Sequence, residues 1–125
     1  MSCDSVIGIL DDGAVTHVTC HNGGGQRLAM LLNENYSGPD VEALVDLGDL
    51  SSVGPTLKDC SAYKRDWGRP FRQRRTRIQE FLDSDVVRNV YWVYVWDCEE
   101  DRWYYCRSGD FRLHSFECPS YLQRG

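Results

Sequence analysis

Between Lys64 and Arg77 the chain carries Lys64, Arg65, Arg69, Arg72, Arg74, Arg75 and Arg77, seven of its 14 basic residues in one short stretch. Six of the seven are Arg, whose planar guanidinium pairs two-pronged with phosphate or carboxylate. Trp67 and Phe71 stand among them as surfaces on which a base or another ring can stack. This composition suits docking on an anionic partner, either nucleic-acid phosphate or an acidic protein surface. The same arginines can instead face the chain's own acids or line a solvated arm, and the sequence leaves that open.

Acidic residues supply the mirror image. Asp40, Glu42, Asp46 and Asp49, or Asp97, Glu99, Glu100 and Asp101, could imitate a row of phosphates or simply solvate a helix and a loop. Gly23, Gly24 and Gly25 precede a helical pattern, where unpaired first-turn amides favour an anion. They lack the Lys-Ser/Thr of a P-loop and the spacing of a dinucleotide site, so a plain strand-to-helix turn is the competing reading.

Catalytic sets are weak. Cys20 with His21 or His17 is thiolate and base by type, but adjacent residues on a strand point to opposite faces, so Cys20 and His21 cannot easily bond each other. The six cysteines, at 3, 20, 60, 98, 106 and 118, are scattered in a chain large enough to fold without bridges, and they read as reduced thiols. Cys98, Cys106, His114 and Cys118 have zinc-ligand chemistry without the short CxxC spacing that presets a knuckle, so no metal and no cofactor are expected.

The net charge of −5 conceals three blocks: −7 over residues 1–57, +6 over 58–77 and −4 over 78–125. A membrane span needs about 18 apolar residues, and the best run, Val90 to Trp96, is only strand-sized. No signal peptide is visible, which makes the cytoplasm the expected compartment. With 42% hydrophobic and 12% aromatic residues, the chain is expected to fold as one domain over residues 1–125.

The elements that must position these residues follow from periodicity. Val6–Leu10 and Ala14–Cys20 flank Asp11-Asp12-Gly13 and predict a hairpin. Leu28, Leu31, Leu32 and Tyr36 form one helical stripe, and Pro39 to Gly48 a second helix with its start and stop signals in place. Residues 48–55 suit a structured turn, and Thr56 to Arg75 an extended arm or irregular strand. Thr76 to Gln79 matches a capping box ahead of a short helix carrying Ile78, Phe81 and Leu82. Val90–Trp96, Arg102–Cys106 and Phe111–Phe116 predict strands, joined by Asp97–Asp101 and by Ser108-Gly109-Asp110. Val90–Trp96 is apolar throughout and belongs inside a sheet. Of Tyr91, Trp92, Tyr94, Trp96, Trp103, Tyr104 and Tyr105, some are expected on an exposed apolar patch, which a homodimer could close. The expected fold is α+β: a single largely antiparallel sheet of about five strands with helices packed mainly on one face.

The hairpin around Asp12-Gly13, Cys20-His21, the Leu31-Leu32 to Tyr36 helix, the Pro39 to Gly48 helix, and above all Leu47-Gly48-Asp49-Leu50-Ser51-Ser52-Val53-Gly54 resemble a family of small uncharacterised bacteriophage and prophage proteins. The likeness covers the first half well and the remainder loosely. Cys20-His21-Asn22-Gly23-Gly24-Gly25 keeps that family's Cys-His and loses its acid and aromatic. Tyr63-Lys64-Arg65-Asp66-Trp67-Gly68-Arg69 keeps most of its Tyr-x-Arg-Asp-x-Gly-Glu and reverses the last charge. The resemblance implies a phage or mobile-element origin and carries no reaction, cofactor or catalytic residue.

Together these features lead to an expected accessory protein that binds a host protein or ribonucleoprotein and inhibits a nucleic-acid-targeting defence in an anti-CRISPR-like manner. Direct nucleic-acid contact is the variant of that expectation, and no membrane partner is expected. The alternative is a nucleotide-binding protein that sequesters or hydrolyses a small phosphorylated signal through the glycine turn and the Arg arm.

Overall fold

The computed structural model describes residues 4–107 and the two-residue strand at 114–115. β1 (Ser5–Asp11) and β2 (Ala14–Asn22) pair antiparallel from Ser5↔Cys20 to Asp11↔Ala14. Asp12 (φ 53°) and Gly13 (φ 74°) are both left-handed, the two-residue loop whose twist matches that of the strands it joins.

From β2 the chain crosses one face of the sheet through α1 (Gly25–Asn35) and α2 (Pro39–Asp46). It returns as β3 (Leu50–Ser52), parallel to β2. Leu28, Leu32, Val41, Leu44 and Val45 bury the predicted stripes against Ile7, Ile9, Val18, Tyr94, Trp96 and Trp103. Pro39 opens α2 as the sequence suggests, with Asp40 and Glu42 in its first turn. Tyr36, buried at the end of α1, ties this layer together. Its carbonyl accepts the Trp103 indole N–H at 3.0 Å, and its hydroxyl donates to the Gly54 carbonyl at 2.7 Å.

Residues 56–77 hold more structure than the arm expected of them. A single 3-10 turn (Leu57–Asp59) leads to β4 (Ser61–Ala62), α3 (Tyr63–Trp67) and β5 (Arg74–Arg77). The helix expected around Phe81 is α4 (Ile78–Leu82), but Thr76 lies in β5 and no side chain caps the start, so the capping box does not form. α5 (Asp85–Arg88) follows it without having been predicted.

β6 (Trp92–Asp97) and β7 (Arg102–Arg107) form a hairpin, and β8 (His114–Ser115) pairs with β7. β6 is buried at its four central positions and lies between β1 and β7, as its unbroken apolar run implies. The rest of the predicted Phe111–Phe116 strand and the Ser108-Gly109-Asp110 connection lie outside the described residues, as do Cys3 and Cys118.

Three features of the expected fold are corrected, the first being the strand count: the sheet has eight strands among the described residues rather than about five, because β3, β4 and β5 are too short to show an alternating pattern. The sheet runs β4-β3-β2-β1-β6-β7-β8, with β5 also paired to β2, and it is mixed because β1/β6 and β2/β3 are parallel. A parallel neighbour requires a long crossover, and residues 23–49 supply one for β3. The helices also occupy both faces. Phe81, Leu82 and Val87 from α4 and α5 cover Val6, Val15, Val93, Val95 and Cys106, opposite the α1 and α2 layer.

The outer edge of β2 is shared. Cys20 and Asn22 pair with β3, whereas Ala14 to His17 pair with β5. Between the two ladders the Thr19 amide donates to Asp49 Oδ1 at 3.0 Å. β5, and with it Arg74, Arg75 and Arg77, is therefore fixed to the sheet.

Candidate anion-binding face

α3 begins where β4 ends and is held by its own acid. Asp66 accepts the Ala62 amide at 2.8 Å, reaching back to the residue before the helix as a capping acid does. Arg65 binds Asp66 two-pronged, at 2.9 and 3.1 Å, and also donates to the Leu57 and Cys60 carbonyls. Its hydrogen bonds hold the Asp66 carboxyl below the usual carboxylate range. Gly68 then stops the helix at φ 66°, where a side chain is disfavoured. The Arg69 amide bonds back to the Tyr63 carbonyl at 3.1 Å. That return places the Arg69 guanidinium 5.0 Å from the Tyr63 ring centroid.

These contacts divide the predicted site residues. Arg65 is an internal clamp between α3 and the 3-10 turn. Arg74 is turned onto Asp49, with hydrogen bonds of 3.1 and 2.7 Å, and lies over the half-buried Phe71 ring at 5.4 Å. Phe71 packs on the core rather than standing clear of it. Arg75 donates to Thr16 Oγ1 and to the Asp11 carbonyl. Lys64, Arg69, Arg72 and Arg77 are exposed, and among the described residues none of the four meets a carboxylate. Trp67 is 58% exposed.

Two residues outside the predicted set join them. His21 leaves the end of β2 on the face opposite buried Cys20, and its Nδ1 shares a 2.8 Å hydrogen bond with the Tyr63 hydroxyl. The Tyr63 ring lies 5.3 Å from His21 and 5.4 Å from Trp67. His21 and Tyr63, with Lys64, Arg69, Phe71 and Asp49, line an open cleft of about 120 Å³. No sequence pattern links positions 42 residues apart; β2 and β4 bring them together through β3.

The cleft is net cationic. Asp49 is its one carboxylate among the lining residues, and Arg74 neutralises it. Burial pushes the Asp49 carboxyl up, but the Arg74 and Thr19 hydrogen bonds outweigh that and leave it lowered. Lys64 and Arg69 remain to attract an anion, and because both are exposed each contributes about 1 kcal/mol at most.

The other candidate chemistries separate from this face. Gly23 and Gly24 line a second cleft of about 270 Å³ with Asn22, Arg27, Leu28, Leu31 and Val53, and Gly25 starts α1 with no side-chain cap. Cys20 lies in the core, where burial pushes its thiol up to about 11, so it is not an activated nucleophile. Cys20, Cys60 and Cys98 are free thiols. Among the described residues no three His, Cys, Asp or Glu side chains gather to hold a metal.

Asp40, Glu42 and Asp46 are exposed on α2, while Asp97 folds its own hairpin loop by accepting the Glu99 and Glu100 amides. Of the seven rings in the aromatic run, Tyr94, Trp96 and Trp103 are buried, Trp92, Tyr104 and Tyr105 are half-buried, and Tyr91 is exposed, at 49%. Among the described residues no helix is long and apolar enough to cross a membrane. No family model, curated protein or solved structure matches this chain.

Proposed function

We propose that this chain is a non-enzymatic binding protein that docks through its α3–β5 face on an anionic host ribonucleoprotein and inhibits a nucleic-acid-targeting defence. One observation carries the docking role. Four cations, Lys64, Arg69, Arg72 and Arg77, remain outward on a protein of net charge −5, and two of them, Lys64 and Arg69, line the cleft with Tyr63, whose ring lies 5.4 Å from an indole that is 58% exposed. An exposed Trp among cations is the composition of an interface anchor, since Trp and Arg dominate binding hot spots. The surrounding negative charge discourages indiscriminate binding to free nucleic acid and favours a partner that also offers shape. The likeness of the Leu47 to Gly54 segment to phage and prophage proteins supplies the biological setting.

Charge reversal at four exposed positions tests it: Lys64→Glu, Arg69→Glu, Arg72→Glu and Arg77→Glu. In bacteria whose RNA-guided nuclease restricts a targeted phage, the wild-type chain should restore plaques and the variant should not. The purified nuclease–guide complex should bind the wild type in a salt-sensitive manner. Equal plaque restoration by a variant with an unchanged melting temperature would remove the face from the function. No restoration by the wild type would remove the inhibitory role.

A further inference from the structure

Resting on the docking role above, we propose that the cleft between the end of β2 and α3 is a seat for one nucleoside phosphate, with the phosphate held by Lys64 and Arg69 and the base stacked on Trp67. The ligand class follows from what the cleft puts together. A phosphate needs charge-assisted donors at a fixed place, and Arg69 is fixed twice, by its amide bond to the Tyr63 carbonyl and by the Tyr63 ring beneath its guanidinium. Because no carboxylate among the described residues takes that guanidinium, its donors are available. Lys64 lies on the same wall, and His21, tied to the Tyr63 hydroxyl at 2.8 Å, adds a ring nitrogen.

The base follows from Trp67. Its ring lies 5.4 Å from Tyr63, beside the cleft rather than inside it, and more than half its surface faces solvent. An indole one ring away from the cleft, with most of its surface open, is a stacking platform that accepts any base. A carboxylate side chain could use the two cations but would leave the indole idle, so a nucleotide is favoured over an acidic peptide. A space of about 120 Å³ accommodates a phosphate group and leaves the base outside on the exposed ring. The occupant is either a free nucleotide or one residue of a single strand.

Trp67 fluorescence and calorimetry with five probes decide the matter: AMP, adenosine, inorganic phosphate, a single-stranded RNA hexamer of adenylate, and a Glu-rich peptide. AMP or the hexamer should quench Trp67 to saturation, whereas adenosine and phosphate alone should bind at least about tenfold more weakly. Lys64→Ala, Arg69→Ala and Trp67→Ala, all at exposed side chains, should each weaken binding about tenfold with melting temperature unchanged. Trp67→Phe should keep most of the affinity by calorimetry while losing the quench. Hexamer binding that is tighter than AMP and falls steeply with salt identifies a strand as the source; equal affinities identify a free nucleotide.

The seat is overturned by any of three results: no binding of AMP or hexamer up to about millimolar concentration, unchanged affinity in both cation variants, or tighter binding of the Glu-rich peptide. Failure here with salt-sensitive capture of the nuclease–guide complex intact leaves the docking face without a nucleotide seat. Nucleotide binding without plaque restoration leaves the seat without the inhibitory role.

Discussion

Arg74 grips Asp49 through two hydrogen bonds, at 3.1 and 2.7 Å, at the point on β2 where the β3 ladder stops and the β5 ladder begins. The same carboxylate takes the Thr19 amide that neither ladder uses. Arg74→Ala is expected to lower the unfolding free energy by about 1–2 kcal/mol, less than for a buried pair because both side chains are partly exposed. Urea melts of Arg74→Ala, Asp49→Ala and the double variant measure the coupling. A value under about 0.3 kcal/mol would mean the two residues stabilise the junction independently.

His17 should set an acid limb on stability. It is 3% exposed, its ring packs 4.9 Å from Phe81, and its Nδ1 has no partner among the described residues. Burial first, and Arg74 second, lower it to about 4 against a weaker opposing pull from Asp49. Between its ordinary value near 6.5 and about 4 the unfolded chain binds the proton and the folded chain does not, so stability falls as pH falls through that window. The full loss approaches about 3 kcal/mol. Asp49, whose carboxyl is lowered, adds loss at still lower pH. Denaturant midpoints measured from pH 7 to 4 should flatten in His17→Leu; an unchanged slope would assign the limb to other groups.

Gly68 carries the geometry of the candidate site through its backbone alone. A Cβ there would meet nothing within 4 Å, so Gly68→Ala suffers only the left-handed φ of 66°, about 1 kcal/mol. The same substitution loosens the turn that brings Arg69 over Tyr63. Partner binding should therefore weaken more than a 1 kcal/mol loss of stability explains, and Gly68→Asn should be milder on both counts. Equal effects of the two substitutions would argue against a backbone cause.

Thiol labelling should rank the described cysteines. Cys20, Cys60 and Cys106 are buried, and Cys98 is half-buried with its thiol raised by burial and by the acids around it. Alkylation of the native protein near pH 8, followed by mass spectrometry, should modify Cys98 before the other three, with all four reacting once the chain is unfolded. Early modification of Cys20 would show that the α1 layer opens readily.

The opening hairpin, α1, α2 and the buried β6 strand were legible because each carries a local signal: Asp12-Gly13 for the turn, Leu28-Leu32 and Pro39-Gly48 for the helices, and an unbroken apolar run for β6. The mixed pairing was not, since nothing local to Ser5–Asp11 or Trp92–Asp97 states that they lie side by side and parallel. Placing the helices on one face failed for a related reason. Phe81 and Val87 announce a buried stripe without naming the side of the sheet that receives it.

At the candidate site the sequence supplied the cations but not their division of labour. Arg65 and Arg74 look like Arg69 and Arg72 until Asp66 and Asp49 are placed beside them. Trp67 stands out in the sequence as a ring among cations, whereas only the fold brings His21 and Tyr63 to it. In the stretch Tyr63 to Arg69, the fold uses Arg65, Asp66 and Gly68 to build α3, which leaves Lys64, Trp67 and Arg69 for contact.

The parallel pairing of β1 with β6 also constrains how the chain reaches its native state. Its first strand has to wait for a neighbour that is synthesised near the other end, and loops that long are closed late and slowly. A nascent chain stopped before Trp92 displays β1 with one flank open, a template for unwanted association. Refolding in the test tube should accordingly be slower than for a helical protein of this length, and a fragment ending ahead of Trp92 should aggregate rather than accumulate as a half-built sheet.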